Sequence, residues 1–415
     1  MKLSKCFTKR AWPQTVCSFA ILLMYGFEMR TYLGGYLPIN IITIIIIILF
    51  LYSFSVILRI SPKSIYRTPT SLDTLVYVFL LLYGLRLAWN IYIDGYKQLI
   101  FNNDITCFVY LIFLCFIPYI AFRKMPWAII DMKSILRVLI YIMLFGLIIS
   151  IKSFYSVIAA GFQHFQGRAF ANELLDSIGY GHLALTFIFA CYCYLKLEVN
   201  KKKWIYYIFI SFGLLSMGLA NARSPFIVLF FCLFISLIRR LSIKTIVFSF
   251  IVVALIGSNL EYISDFFVEK FNSPFIERLM NSYELGMVDA SSGRDVLFSL
   301  GWKMFTNNPI IGESLVITEG EYAGSYVHNS IIEVLMGMGL IGGLFYFIIN
   351  AIAFISAYRL IEVNSKYSFF AFVFFQYFII LQFSRSLLLL PLYFVSIASV
   401  YSCYVFEKRY SKKEL

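Results

Sequence analysis

Long apolar runs alternate with short polar segments along the whole chain, and the polar segments carry most of the charge. A bilayer core about 30 Å thick is crossed by roughly 20 apolar residues in a helix. The runs predict about 12 transmembrane helices, at residues 16–27, 38–58, 72–93, 105–122, 135–152, 178–197, 204–220, 224–238, 243–260, 329–357, 367–383 and 386–406. They are too long and continuous for barrel strands. The predicted fold class is an all-α polytopic membrane protein, with residues 1–415 forming a single integral membrane domain.

One long water-soluble segment interrupts this pattern, at residues 261–328 between spans 9 and 10. Its first half, residues 262–271, has apolar positions at helical spacing and is expected to lie along the membrane interface. Its second half begins at Ser291-Ser292-Gly293-Arg294, where a serine is expected to cap a helix with one apolar face, and Asn307-Asn308-Pro309 is expected to stop this helix. That face comprises Leu297, Leu300, Met304 and Phe305. The segment is predicted to be a large periplasmic loop.

Composition and charge support a membrane protein and give it an orientation. Hydrophobic residues make up 61% of the chain, charged residues 14%, and the mean hydropathy is +0.82. With the N-terminus in the cytoplasm, the inner side receives 24 of the 35 basic residues, and 16 of the 22 acidic residues lie outside. Such a bias sets the topology of multi-pass proteins. The net charge of +13 therefore reports topology and not nucleic-acid binding, and both termini are expected in the cytoplasm.

The outer side favours arginine, with 7 Arg and 4 Lys, whereas the inner side holds 15 Lys and 9 Arg. The planar guanidinium binds two oxygens at once, which suits a diphosphate. Arg223 and Arg385 each stand in a very short turn between two spans, and Arg168 lies in an outer segment. A carboxylate partner such as Glu333, or a helix end, is the structural alternative for Arg385.

Histidine and cysteine usage predicts neither a metal site nor disulfides. The three histidines, His164, His182 and His328, all fall on the predicted outer side, without the spacing or cysteine partners of a zinc site. The eight cysteines lie almost entirely within apolar runs and are predicted to be packed thiols. The first apolar run follows basic residues without a small-residue cleavage site and is predicted to be an uncleaved span.

Residues 294–343 carry a series of polar and glycine residues in a distinctive order: Arg294, Trp302, Asn308-Pro309-Ile310-Ile311-Gly312, His328-Asn329 and Gly339-Leu340-Ile341-Gly342-Gly343. This order resembles the C-terminal signature of the bacterial O-antigen polymerase and O-antigen ligase family. The resemblance is close over about fifty residues and looser elsewhere. The glycines are expected to allow close helix packing, and the Asn-Pro-x-x-Gly segment to form a turn that shapes the acceptor pocket.

The resemblance implies a metal-independent glycosyltransferase of the bacterial inner membrane whose active site faces the periplasm. Its donor would be an undecaprenyl-diphosphate-linked oligosaccharide, with no cofactor and with a polysaccharide chain-length regulator as a partner. His328 is the expected general base, and Arg223 and Arg385 are expected to neutralise the departing diphosphate. Substrate binding is assigned to the remaining candidates, Arg168, His182, Arg294 and Asn329.

Two alternatives to an O-antigen polymerase stay open at this stage. An O-antigen ligase, which transfers the finished glycan to lipid A core, would show the same His-Asn and Gly-x-x-Gly spacing. Gly343 stands where ligases often have threonine, which favours the polymerase. A flippase or transporter of the same lipid-linked sugar belongs to another class, and it should show two related halves around a charged central path. The single long loop breaks that symmetry.

Overall fold

The computed structural model describes residues 3–26, 39–60, 70–95, 104–159, 177–198, 203–220, 222–238 and 294–411. Within these ranges all regular structure is helical. The helices are α1 (Leu3–Tyr25), α2 (Ile39–Ile60), α3 (Ser71–Tyr92), α4 (Asp104–Arg123), α5 (Met132–Ala159), α6 (Ser177–Leu197), α7 (Lys203–Leu219), α8 (Arg223–Ile238), α9 (Arg294–Asn307), α10 (Ser330–Glu362), α11 (Ser368–Phe383) and α12 (Leu392–Ser411). The middle of α4, Tyr110–Phe116, is π-helical.

The predicted spans match described helices at most of their ends, because apolar runs of this length have no other low-energy conformation in a membrane. Five of the described helices are long and apolar enough to cross a bilayer: Ser71–Tyr92, Asp104–Arg123, Met132–Ser150, Ile178–Leu197 and Ser330–Glu362. The predicted span 243–260 and the first half of the long loop lie outside the described residues. The number of twelve spans and the single domain over residues 1–415 stay predictions.

Some boundaries differ from the sequence-based prediction: α1 begins at Leu3 and not at residue 16, and α5 ends at Ala159 and not at residue 152. Two further differences lie in or near α10. The last helix begins at Leu392 and not at residue 386, since Ser386 to Pro391 forms turns that end at a proline. The run predicted as one continuous span at 329–357 contains Gly339 in a non-helical conformation, at φ 60° and ψ −157°. The second difference determines the shape of the candidate site.

The chain folds into two compact units. The first comprises Met1–Tyr25, Thr43–Ile135 and Arg294–Leu415, and the second comprises Gly26–Ile42 and Leu136–Gly293. In the first unit α10 is the central helix, packed against α3, α9, α11 and α12, while α12 also packs against α4. In the second unit α6 packs against α7 and α8.

A buried ion pair ties three helices of the first unit together at the end where α3 begins. Thr70 and Asp73 form a capping box that starts α3. The Asp73 carboxylate also accepts from Arg123 at the end of α4, with Nε to Oδ1 at 2.5 Å. Arg123 donates a further bond to Ser402 of α12. Because both charged side chains are more than nine-tenths buried, each depends on the other for solvation.

Candidate active site

Gly339 breaks α10, and the turn after α9 fills the break. The amide of Leu340 donates to the Pro309 carbonyl at 2.8 Å, and that of Ile341 donates to the Ile310 carbonyl at 3.3 Å. The carbonyl of Met336, which loses its helical partner at the break, accepts from the amides of Glu313 and Ser314. The turn at residues 308–314, called the docked turn below, therefore replaces the hydrogen bonds that the helix gives up.

The two halves of α10 fold back on each other at the break. The hydroxyls of Ser330 and Tyr346 are 2.6 Å apart although the residues are 16 positions apart in sequence. In a straight helix the two residues would be separated by about 24 Å along the axis, far beyond the reach of their side chains. Residues 330–338 therefore run back beside residues 340–362. This places Ser330 roughly 10 Å below the break, counted along the second half at 1.5 Å per residue.

Two glycines with positive φ make this close approach possible. A Cβ on Gly339 would overlap the Ile310 carbonyl, and one on Gly312 would overlap the backbone of Gly337 and Met338. The φ angles of Gly312 and Gly339 are near 70° and 60°, where other residues are strained. The sequence-based assignment of the α10 glycines to packing is consistent with this geometry, with the turn itself as the packing partner of Gly339.

Two polar residues of α3 hold the docked turn from the other side. Arg86 donates to the carbonyls of Ile311, Gly312 and Glu313 at 2.5, 3.2 and 3.1 Å. Asn90 accepts from the amide of Leu315 at 3.1 Å. Arg86 is one of the seven arginines on the predicted outer side, and its role here, which joins residues about 225 positions apart, was not predicted from the sequence.

At the level of Ser330, three of the predicted site residues converge on the end of α11. Asn329 Nδ2 donates to the Gln382 carbonyl at 3.0 Å, Arg294 donates to the Phe383 carbonyl at 2.5 Å, and His328 Nδ1 lies 3.1 Å from the Ser384 carbonyl. The last carbonyls of a helix have no partner within it, so these side chains satisfy them. Asn329 also caps α10 by accepting from the Ile332 amide at 3.0 Å.

His328 is held in one orientation with one ring nitrogen engaged. Its backbone has φ 56°, a left-handed conformation that few non-glycine residues adopt. Since a carbonyl only accepts, Nδ1 must carry the proton in the bond to Ser384, which leaves Nε2 as the basic atom of the neutral ring. Within the described residues Nε2 has no hydrogen-bond partner. Burial lowers the pKa of His328, the bond to Ser384 opposes this, and the charges of Arg294 and Arg385 lower it further.

Arg385 follows directly after the Ser384 carbonyl and is half-buried. Glu333, the carboxylate considered as its partner, accepts instead from Tyr83, Ser386 and the Leu387 amide, at 2.6, 3.0 and 3.3 Å. Within the described part of the chain Glu333 forms no ion pair. Its bonds instead fix the turn in which Arg385 stands.

The remaining predicted residues lie elsewhere or outside the described residues. Arg168 and His164 are outside them. Arg223 begins α8 in the second unit, where only its backbone is described. His182 of α6 is buried, with Nε2 3.0 Å from the Ser224 hydroxyl, so it contacts the residue next to Arg223. A Cβ on the neighbouring Gly181 would overlap Pro225, and His182 therefore lies in tight packing at the start of α8.

Four of the seven predicted site residues, Arg294, His328, Asn329 and Arg385, are thus brought together in one unit. No group of three or more His, Cys, Asp or Glu residues that could hold a metal occurs among the residues searched, which are the described ones. Comparisons with family models, curated proteins and solved structures gave no match. The resemblance to the O-antigen polymerase and ligase family therefore depends on the motif residues alone.

Proposed function

We propose that this protein is a glycosyltransferase that polymerises undecaprenyl-diphosphate-linked surface polysaccharide, with His328 as general base. The observation that carries the proposal is the arrangement of this imidazole. Nδ1 is fixed by the Ser384 carbonyl, Nε2 has no partner in the described chain, and two arginines lie close enough to lower its pKa. A histidine kept neutral near pH 7, with one nitrogen anchored, is suited to accept a proton.

In the proposed reaction, Nε2 of His328 takes the proton of an acceptor sugar hydroxyl. The oxygen attacks the anomeric carbon of the donor glycan as the bond from that carbon to the diphosphate oxygen breaks. The electron pair leaves with undecaprenyl diphosphate, and the guanidinium of Arg385 neutralises the charge that develops there. Arg294, which donates to the Phe383 carbonyl, is assigned to contact with the glycan or the diphosphate by the resemblance. Arg223 and Arg168 are assigned to the diphosphate by the resemblance.

The transporter alternative gains one structural argument from the broken helix. Discontinuous membrane helices often hold substrates or ions at their half-helix ends in secondary transporters. In this protein, however, the backbone groups exposed by the break at Gly339 are bonded to the docked turn. The imidazole of His328, held about 10 Å below the break, has no role in such a transport mechanism. Its fixed orientation favours group transfer.

The test uses the full-length protein in membranes supplied with lipid-linked repeat units and no lipid A core. Elongated lipid-linked chains, resolved by electrophoresis, are expected for the polymerase, whereas a ligase would make no product without the core acceptor. His328→Ala should lower the rate by about 100-fold or more, the usual contribution of a general base. Arg385→Gln should lower it by a comparable factor.

Arg359→Ala provides the control, since Arg359 is exposed and pairs with Glu362 at the other end of α10. It should elongate chains at the parental rate. A His328→Ala protein that is present at normal levels and still elongates at the parental rate would rule out the proposed base. Translocation of the lipid-linked sugar without any elongation would instead support the transporter.

A further inference from the structure

We infer that the tip of the docked turn, Ile310 and Ile311, is inserted among the acyl chains of the bilayer, so that part of the predicted soluble loop is a membrane element. The surface concerned consists of Ile310 and Ile311 of the turn together with Leu340 and Leu344 of α10. The proposed occupant is lipid hydrocarbon. The inference concerns the position of the turn, and its arguments do not use the proposed activity. It also places Ser330 and the adjoining His328 about 10 Å deeper than the break.

The first argument is the continuity of exposed apolar surface. Ile310 and Ile311 are 64% and 59% exposed, and Leu340 and Leu344 beside them are 57% and 61% exposed. Backbone bonds hold the turn directly against Leu340 and Ile341. Since the second half of α10 belongs to a helix apolar and long enough to cross a membrane, its exposed flank is the surface expected to face lipid, and the turn extends that flank.

The second argument is depth. Arg86, which binds the turn, lies six residues before the end of α3, or about 9 Å along the helix. Beyond it, Trp89 and Tyr92 are exposed on the same helix, at 52% and 68%. Exposed Trp and Tyr mark the level of the lipid headgroups. Arg86 therefore lies nearly one helical turn nearer the bilayer centre than Trp89, whereas the Glu313 carbonyl also accepts from Asn90, at the level of Trp89.

Counting along α10 agrees with this depth. Arg359 is the first charged residue in the second half of α10, and it is exposed. Leu340 lies 19 residues before it, or about 28 Å at 1.5 Å per residue. The hydrocarbon core is about 30 Å thick. If Arg359 lies at one edge of the core, the break and the turn lie just inside the other edge.

The third argument is the state of the backbone. Irregular backbone at membrane depth requires every polar group to be bonded within the protein. All five carbonyls from Pro309 to Glu313 accept a hydrogen bond, from the amides of Leu340 and Ile341 and from the side chain of Arg86. A turn in water could leave these groups to solvent. The carbonyls of the turn therefore meet this requirement, and the amides of Gly312 and Glu313 are bonded to the carbonyls of Asn308 and Met336. The amides of Ile310 and Ile311 have no partner within the described residues.

The test measures the depth of a small fluorophore attached to cysteine in proteoliposomes. Ile310→Cys is labelled with bimane and quenched either by lipids carrying a nitroxide on the upper acyl chain or by aqueous iodide on both sides. Seven of the eight native cysteines are described and all seven are buried, so the labelled parent protein measures the background. Leu344→Cys serves as the lipid-facing reference, and Glu321→Cys, on an exposed residue of the same loop, serves as the aqueous reference.

Quenching of Ile310→Cys should match that of Leu344→Cys, with lipid nitroxide several-fold more effective than iodide and the order reversed for Glu321→Cys. Strong iodide quenching at residue 310 would overturn the inference and place the turn in water. Protection from both quenchers would also overturn it, because a second protein copy would then cover the surface. Ile311→Cys repeats the measurement in case labelling at residue 310 disturbs folding.

Discussion

Replacing Gly339 by alanine tests whether the break in α10 is a built feature of the fold. The residue has φ 60° and ψ −157°, a region essentially restricted to glycine, where another residue costs about 1–3 kcal/mol. The added Cβ would also overlap the Ile310 carbonyl. The docked turn would have to move, which breaks the bonds from Leu340 to Pro309 and from Ile341 to Ile310. Each lost bond costs about 0.5–1.5 kcal/mol, so the loss of stability should total roughly 2–6 kcal/mol.

The buried cysteines provide the assay for this variant. A maleimide dye that fluoresces on reaction with thiols reports unfolding as these cysteines become accessible on heating. Gly218→Ala is the matched control, because it lies within α7 and a Cβ there meets nothing within 4 Å. Its midpoint should not fall, since alanine is favoured over glycine in a helix, whereas that of Gly339→Ala should fall by roughly 5 °C or more. Equal midpoints for the two variants would refute the account of the break.

The remaining predictions concern the protonation of His328 and the buried ion pair between Asp73 and Arg123. Because the pKa of His328 is lowered below its ordinary value of 6.5, transfer should be lost only as the pH falls through that lowered value and the base becomes protonated. Arg385→Gln removes a positive charge and should move this acid limb of the pH–rate profile toward higher pH; an unmoved limb would show that another group is the base. Asp73→Asn leaves Arg123 buried without its counter-ion and should cost about 3–5 kcal/mol, measured by the same thiol assay. Arg359→Ala, at an exposed pair, should leave the midpoint unchanged, and an equal fall in both would contradict the role assigned to burial.

The helices could be predicted because their signal is local. Apolar runs and their charged ends lie within some twenty residues, and the described helix ends mostly fall close to the predicted ones. The face of α9 was also predicted correctly: Leu297 and Met304 are buried, and Leu300 and Phe305 pack against them. The helix ends at Asn307, the first residue of the predicted Asn307-Asn308-Pro309 stop. For these elements, hydrophobic periodicity and a proline are sufficient to predict the buried face of the helix and its end.

The break in α10 could not be predicted in the same way. A run containing Gly337, Gly339, Gly342 and Gly343 indicates close packing, but it does not tell which glycine leaves the helix or what fills the gap. That depends on the docked turn, about 30 residues earlier in sequence, and on Gly312 adopting a positive φ. His328 was accordingly expected at the mouth of a continuous span. In the structure it precedes a short half-helix whose start lies roughly 10 Å below the break.

One face of α3 explains how both levels of this region are held together. Tyr83, Arg86 and Asn90 follow the spacing i, i+3, i+7, which places them on one side of a helix. Tyr83 donates to Glu333 of the half-helix, Arg86 binds the docked turn and Asn90 binds Leu315. A polar stripe in an otherwise apolar span is costly in lipid and has to find partners within the protein. This stripe is therefore the sequence signal that could have indicated a re-entrant element. The docked turn and the half-helix both expose polar groups, and these groups need polar partners on the neighbouring helix.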